Sequence, residues 1–413
     1  MKVKRVVVTG LGTINPLGLN VEDTWKELCA GKSGVELVTH INTDDLPVKI
    51  AGQVKGFDVL DYIDLKEAKR MDQYCHYAIA SAVQAMENSG IQDNIDPDKL
   101  GVITGTGIGG MQTFESQTQI FLEKGPRRTS PLFIPMMISN IAAGQIAIRF
   151  SAKCINFNVT SACTSSANAI GEAYRGIKYG AADAVIAVGS EAAITRLTLA
   201  GFSIMRALST RNDSPHTASR PFDKERDGFV LSEGAAALIL EEYEHAKARG
   251  AHIYAELVGY GATCDAFHIT MPAPGGEGGA HAMRNAIEDA GITPEDIQYI
   301  NAHGTSTPLN DSSETAAIKS VFGDYAYTLK VNSSKSMIGH ALGAAGALES
   351  MILIKSLQDQ MIHPTINLTT PDPECDLDYN PEKTIPLEIE YGISNSFGFG
   401  GHNASLVFKR YDT

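Results

Sequence analysis

Four side chains in this 413-residue sequence have types and settings suited to covalent chemistry: Cys163, His303, Lys335 and His340. Cys163 sits in "TSACTSSANAIG", residues 160–171, a stretch dominated by alanine, serine and threonine with no second cysteine. The apolar run "CINFNVT" leads into it and "TSSANAIGEAYRGIKYG" leads out with helical patterning. The thiol is therefore expected at a strand-to-helix turn. A helix start offers free backbone N–H groups and a positive dipole end, and both favour a thiolate.

His303 lies in "NAHGTSTPLND", residues 301–311, at the end of an apolar strand and crowded by glycine and hydroxyl residues. Lys335 and His340 are five apart in "KVNSSKSMIGHALGAAGALES", on a Ser/Gly turn before a helix of very small residues. Such a helix can approach another backbone closely, which buries its tip. A buried lysine needs a counter-charge, and Glu349 is the candidate.

Together these groups point to acyl transfer. Cysteine attacks well and leaves well, so it can carry an acyl chain as a thioester. Two neutral imidazoles can stabilise an enolate oxygen beside a departing CO₂. That suits carbon–carbon bond formation better than hydrolysis, where one histidine suffices. Catalytic zinc is set aside, because neither CxxC nor HExxH spacing occurs. "GLGTINPLG" misses GxGxxG at Asn15, and "GTGIGG" lacks a following Lys-Ser/Thr, so nucleotide binding has little support.

These residues need a scaffold, and the chain supplies one of α/β type. Strands are expected at 5–10, 100–107, 154–160, 183–190, 253–261, 297–304, 327–334 and 403–410. Helices are expected in "EDTWKELCAG", "QYCHYAIASAVQAMENSG" and "GAHAMRNAIEDAG", the last two closing at glycine. Runs such as "AVIAV" are apolar on both faces, which suits a sheet covered by helices on each side. The patch "MPAPGGEGG", 271–279, reads as one mobile loop. Each half repeats a strand, a Gly/Ser/Thr turn and a helix with reactive residues at its start. The seam is placed near 250–256, giving halves 1–252 and 253–413.

Composition narrows the setting. The sequence is 43% hydrophobic and 20% charged, with a formal charge of −14. That balance argues against a general nucleic-acid binder. "MKVKRVVVTG" reads as a first buried strand rather than a signal peptide, and no apolar run approaches the ~18 residues of a membrane span. The six cysteines form no CxxC pair and are expected as free thiols in the cytoplasm.

From "RVVVTGLGTINPLG" through "SRPFDKERDGFVLSEGA" and "NAHGTSTPLND" to "SNSFGFGGHNASLVFKR", the chain resembles the β-ketoacyl-acyl carrier protein synthases. It is most similar to the type II elongation enzymes of bacterial fatty acid synthesis. The resemblance implies a thiolase-like fold of five αβαβα layers, a homodimer, and an acyl carrier protein as partner. It makes Cys163 the acyl-carrying nucleophile, His303 and His340 the malonyl-handling pair, and Lys335 the active-site lysine beside Glu349. Phe399 becomes a gate whose backbone N–H joins that of Cys163 in an oxyanion hole. Ile108, Phe202, Thr270, Thr305, Thr307, Gly398 and Gly400 become substrate contacts. Asn301, Glu314, Glu349, Ser394 and Asn395 match positions that surround a structural monovalent cation, K⁺ or Na⁺, in some relatives; no cofactor is required.

The carrier is expected to be acidic, so a local basic patch is expected to meet it, from Lys66, Lys69, Arg70, Arg127, Arg128 and Arg206. The glycines around Phe399 allow a loop that switches between two states, with 265–279 as a second moving part. Ile338 and His402 stand where threonine is frequent in the family, and Ser232 where glycine is. These departures bear on acyl preference, not on the reaction. A thiolase would carry a second cysteine near its C-terminus, whereas the last one here is Cys375. A non-catalytic chain-length partner would usually lack the nucleophile. A polyketide-type ketosynthase shares the motifs and stays open.

Overall fold

The computed structural model describes residues 3–412. Ten strands form the framework: β1 Val6–Ile14, β2 Leu100–Gly105, β3 Asn156–Val159, β4 Ala184–Glu191 and β5 Gly234–Glu242, then β6 Ala255–Cys264, β7 Ile297–Asn301, β8 Lys330–Asn332, β9 Tyr391–Gly398 and β10 His402–Arg410. Their spatial order is 8-7-9-10-6-1-5-4-2-3. Cut between β6 and β1, the two blocks read 3-2-4-5-1 and 8-7-9-10-6. Each strand of the second block is its first-block counterpart plus five. Orientations repeat as well: β2 lies parallel to β3 and β4, and β7 to β8 and β9, while the remaining neighbours are antiparallel.

Among the described residues, the only strand pairing between the blocks is that of Val6–Val8 with Ala255–Leu257. Two helices fill the space between them, α3 Ser165–Lys178 and α6 Ala345–Asp359. Helix α3 packs on β2, β4 and β5 but also meets β6 and β10, and α6 packs on β9 and β10 while meeting β4 and β5. The outer faces are covered by α1 Gln73–Ser89 on one block and α4 Glu277–Ala290 on the other. This is the expected α/β arrangement of αβαβα layers. The central layer explains why α6 is buried along nearly its whole length, with only its last turn partly exposed. A helix pressed between two sheets has almost no solvent face, so α6 is small or apolar nearly all round, with Glu349 paired to Lys335 as the buried exception in its middle.

The paired glycines belong to this packing. A Cβ at Gly10 or Gly12 would lie 2.2 or 2.1 Å from carbonyl oxygens of α1, those of Ala85 and Ser81. Gly259 and Gly261 of β6 meet Ala286 and Ala282 of α4 at 2.1 and 2.0 Å in the same way. "GLG" and "GYG" are thus one device used twice, where a covering helix sits directly on a strand. The N-terminal glycines serve packing.

Two of these ten strands escaped sequence reading. Strand β5, "GAAALILEE", is alanine-rich and lacks the β-branched signal, and β9, "YGISNSFG", is mostly small and polar. Both are interior strands whose side chains are sized by layers on each side. The expected strand 327–334 shrinks to Lys330–Asn332, because 323–327 forms a 3₁₀ turn. The Gly-rich stretch 271–279 is not one loop: Glu277 opens α4, and only 265–276 connects. Helices α1 and α4 do end on left-handed glycines, Gly90 and Gly291.

Candidate active site

Cys163 stands two residues before the first turn of α3, in the connection from β3. The turn is tight: Ala162 takes a left-handed φ of 53°. Hydroxyls hold it closed. Thr164 donates to the Ser161 carbonyl at 2.7 Å and Ser165 to the Ala162 carbonyl at 2.6 Å, while the Ser161 N–H donates to Ser165 Oγ at 3.0 Å. The serines and threonines around the thiol are the turn's own hydrogen-bonding partners.

His303 follows β7. Its backbone N–H and that of Gly304 donate to the two oxygens of Glu314 at 2.9 and 2.8 Å. Glu314 projects from helix α5, Pro308–Phe322. His340 is held by the other half of the chain: its N–H donates to Val230 O at 2.8 Å, and its carbonyl accepts from Ser232 N at 3.0 Å. Phe229 lies edge-on to its ring at 5.3 Å. The motif "GFVLSEG" therefore positions the second histidine.

The two imidazoles cross at 85° with centroids 5.2 Å apart. The Cys163 sulfur and a ring nitrogen of each histidine all lie within 4.8 Å of one another. Lys335, only 1% exposed, lies beneath and is ion-paired with Glu349. Phe399 follows β9, and its backbone N–H acts on the Cys163 sulfur to favour the thiolate. Gly398 rests on the nucleophile turn, so close that a Cβ there would come within 3.0 Å of the Cys163 nitrogen.

Burial governs the protonation states. It holds the His303 pKa well below the usual imidazole value, helped by the Lys335 charge and by His340. His340 is depressed by burial and by Lys335. Both rings are neutral at physiological pH. The Cys163 thiol is pushed up to about 12, because desolvation outweighs the pull of Lys335 and of the Phe399 N–H. This corrects the expectation of a resting thiolate at the helix start: protein packed around the sulfur in the cleft wall desolvates it by more than the neighbouring groups favour ionisation. Glu314 and Glu349 are each raised to about 7, chiefly by burial.

A cleft of about 490 Å³ opens over these groups. Ile108, Phe202, Thr270, Thr305, Thr307, Gly398 and Phe399 line it with Cys163, His303 and His340. Gly400 does not; it is exposed, and its N–H donates to Ile269 O at 2.7 Å. Of the six basic residues considered for carrier contact all are exposed, but only Arg206 lines the cleft. Asn301, Glu314, Glu349, Ser394 and Asn395 are all buried, and Asn395 Nδ2 donates to Glu314 at 3.3 Å.

Sequence reading passed over Glu191. Fully buried at the end of β4, it accepts from Gly107 N at 2.7 Å, Thr106 Oγ1 at 2.9 Å, Gly343 N at 3.0 Å and Ile108 N at 3.2 Å. It fixes the Ile108 loop and the turn after His340 to one carboxylate. The available signal was a lone charge closing the apolar run "AVIAVGSE". Ile338 and Ser232, two departures from the family pattern, are buried under Gly52, and His402 lies against Gly400.

Comparison with known proteins agrees with this geometry. The family model for "Beta-ketoacyl synthase, N-terminal domain" matches residues 3–246, and that for "Beta-ketoacyl synthase, C-terminal domain" matches residues 254–369. The chain is 51% identical over 412 residues to a 3-oxoacyl-[acyl-carrier-protein] synthase 2 of Synechocystis, covering 100% of this chain and 99% of that one. It is also 51% identical to the protein of the same name from Staphylococcus aureus strain COL, over 99% of both chains. Among solved structures, a β-ketoacyl synthase from Burkholderia phymatum superposes with a TM-score of 0.92 at 37% identity, covering 99% of this chain and all of that one. A type II PKS ketosynthase, solved in complex with its acyl-carrier protein and bound to the hexaketide, gives 0.92 at 36%, with the same coverage. With one family model spanning the whole first sheet block, the other the first three strands of the second, and full-length relatives at half identity, the chain belongs to the β-ketoacyl synthase family.

Proposed function

We propose that the enzyme condenses malonyl-acyl carrier protein with a Cys163-bound acyl chain, with loss of CO₂, giving a 3-oxoacyl-acyl carrier protein two carbons longer in fatty acid elongation. The observation that carries this reading is the meeting of one thiol and two neutral imidazoles in a single cleft. In the first half-reaction the Cys163 sulfur takes the acyl group from the carrier thioester, and the carrier leaves as its thiol. The Phe399 and Cys163 N–H groups serve the oxyanion, donors worth about 3–4 kcal/mol each at comparable sites. In the second, malonyl carrier loses CO₂ while His303 and His340 donate hydrogen bonds to the enolate oxygen. The enolate carbon then attacks the Cys163 thioester, the carbon–sulfur bond breaks, and the expelled thiolate takes a proton from solvent to restore the thiol.

Replacing Cys163 with Gln should stop condensation and leave malonyl decarboxylation running. His303→Ala and His340→Ala should retain transacylation, followed by intact mass, and lose CO₂ release. Decarboxylation surviving in both histidine variants would remove the enolate role. The likeness to a polyketide ketosynthase at 36% identity favours a second reading, in which the acyl chain is a polyketide. Elongation assays with saturated acyl carriers of graded length separate the two: turnover on them supports fatty acid synthesis, and none supports the alternative.

The remaining roles belong to the same reading. Ile108 and Phe202 line the acyl chain, Thr270, Thr305 and Thr307 the carrier arm, and Arg206 with the other five cations meets the carrier in the cytoplasm. A structural K⁺ or Na⁺ fits Asn301, Glu314, Glu349, Ser394 and Asn395. Asn301 Oδ1 and Glu349 Oε2 are buried without a hydrogen-bond partner among the described residues, which supports that fit. These five would hold the ion, which would supply positive charge where two carboxylates share one lysine. A homodimer is supported by β3, an edge strand with Phe157 exposed and the exposed Ile148 nearby on the helix Ile141–Phe150. Unpaired apolar edges invite a second strand.

A further inference from the structure

We propose that the unacylated enzyme binds a soft divalent metal ion, Zn²⁺ or Co²⁺, on Cys163, His303 and His340, and that this metal and the acyl chain exclude each other. No pair of these residues has metal-ligand spacing in the sequence, so the constellation exists only in the fold. The three donor atoms lie within 4.8 Å of one another. Zinc bonds nitrogen at about 2.0–2.1 Å and thiolate at about 2.3 Å, which sets the edges of its tetrahedron near roughly 3.5 Å. The widest of these separations therefore has to close by about 1 Å. That is within reach of a rotation about the Cys163 side chain, which is half-buried and lines the cleft.

The Lys335 ammonium beside the site is ion-paired with Glu349, which offsets its charge. The cleft over the three groups leaves the fourth position of a tetrahedron free for water. On binding, the S–H bond breaks as the S–metal bond forms, and the proton leaves to solvent. Each imidazole contributes a lone pair, and the metal keeps its oxidation state. Thiolate plus imidazole is the donor set that selects zinc-like ions over Mg²⁺ or Ca²⁺. Once Cys163 is a thioester it has no thiolate to give, so an acyl-loaded enzyme is protected. This inference does not rest on the identity of the acyl substrate.

The test uses the full-length enzyme after chelator treatment, with Co²⁺ as the probe and Zn²⁺ as competitor. The exposed Cys264, paired in register with His402, is the rival thiol, so a Cys264→Ser background is used throughout. The expected result is one Co²⁺ per chain, with the strong visible bands of four-coordinate cobalt, a sulfur-to-cobalt band in the near ultraviolet, and displacement by Zn²⁺. Alkylating Cys163 with iodoacetamide should abolish the spectrum, and His303→Gln or His340→Gln should weaken binding by about 100-fold, the upper end for loss of even a supporting partner. Alkylated enzyme keeps its fold, so it serves where a histidine variant fails to fold. The proposal is overturned by absence of saturable binding, by a cobalt spectrum without the sulfur band, or by binding that survives alkylation.

Discussion

At Cys163 burial acts against ionising the sulfur, while the Lys335 charge and the Phe399 N–H act for it. Burial prevails, with the thiol pushed up to about 12. The neutral histidines are consistent with that balance, since a buried imidazolium beside Lys335 would be doubly costly. Their depressed pKa values have a stability consequence with a definite sign. Unfolded histidine titrates near 6.5, above the folded pair, so the unfolded chain takes up protons first as pH falls. The stabilisation from keeping the rings neutral is complete above 6.5 and is lost as pH drops below it toward the folded values. Thermal unfolding of the wild type should therefore fall in Tm between pH 6.5 and 5, and a His303→Gln, His340→Gln double variant should show a flatter profile. Equal slopes in the two proteins would contradict the assignment. At this scale the sequence was informative where reactive residues sit in distinctive small-residue turns, as at Cys163, His303 and His340, and for the Lys335–Glu349 pair. Glu191 and Phe229 were illegible, because their importance lies in which distant backbone they meet.

The moving parts are elements. The Phe399 loop and the 265–276 connection are tied by Gly400 N–H to Ile269 O at 2.7 Å and Asp265 N–H to Gly401 O at 2.8 Å. Gly400 adopts φ 87°, closed to β-branched residues, and a Cβ there would meet His402 Nε2 at 2.9 Å. Gly400→Val should slow transacylation of Cys163 by long acyl carriers and lower Tm through left-handed backbone strain, while circular dichroism shows the fold retained because the position is exposed. Wild-type transacylation rates in the folded variant would exclude a switching loop. The basic residues act at the same scale, on exposed turns around 66–70 and 126–128 and at the cleft mouth. Charges this exposed are screened beyond about 8 Å at physiological salt. KM for the carrier should rise with ionic strength and with Arg206→Glu, kcat changing little; a salt-independent KM would remove the patch. Elements with strong period or caps, such as α1 and α4, were readable. Strands β5 and β9 were not, since residues shaped by layers on both faces lose the alternation that marks a strand.

For the whole molecule, the sheet ends at β3, four residues with Asn156 and Phe157 exposed. If a second copy covers this edge, mass photometry should find a dimer. Phe157→Lys should shift it toward monomer and reduce activity together with assembly. A wild-type monomer with full activity would rule out a functional dimer. The layered duplication was legible in outline, as alternating strands and helices with a seam in the 250s. Its one-to-one strand correspondence was not, because pairing order is a property of the folded sheet.

The repeat has one more consequence. The connection from β3 to α3 carries Cys163, and its counterpart from β8 to α6 carries His340; likewise β2 leads to Ile108 where β7 leads to His303. Two identical subunits in this arrangement would be bound to present like against like, thiol facing thiol or imidazole facing imidazole. Joined in one polypeptide, equivalent turns are free to differ, and the molecule sets an attacking atom in one against the groups that steady its partner in the other. The asymmetry of the reaction is written as a broken symmetry of the chain.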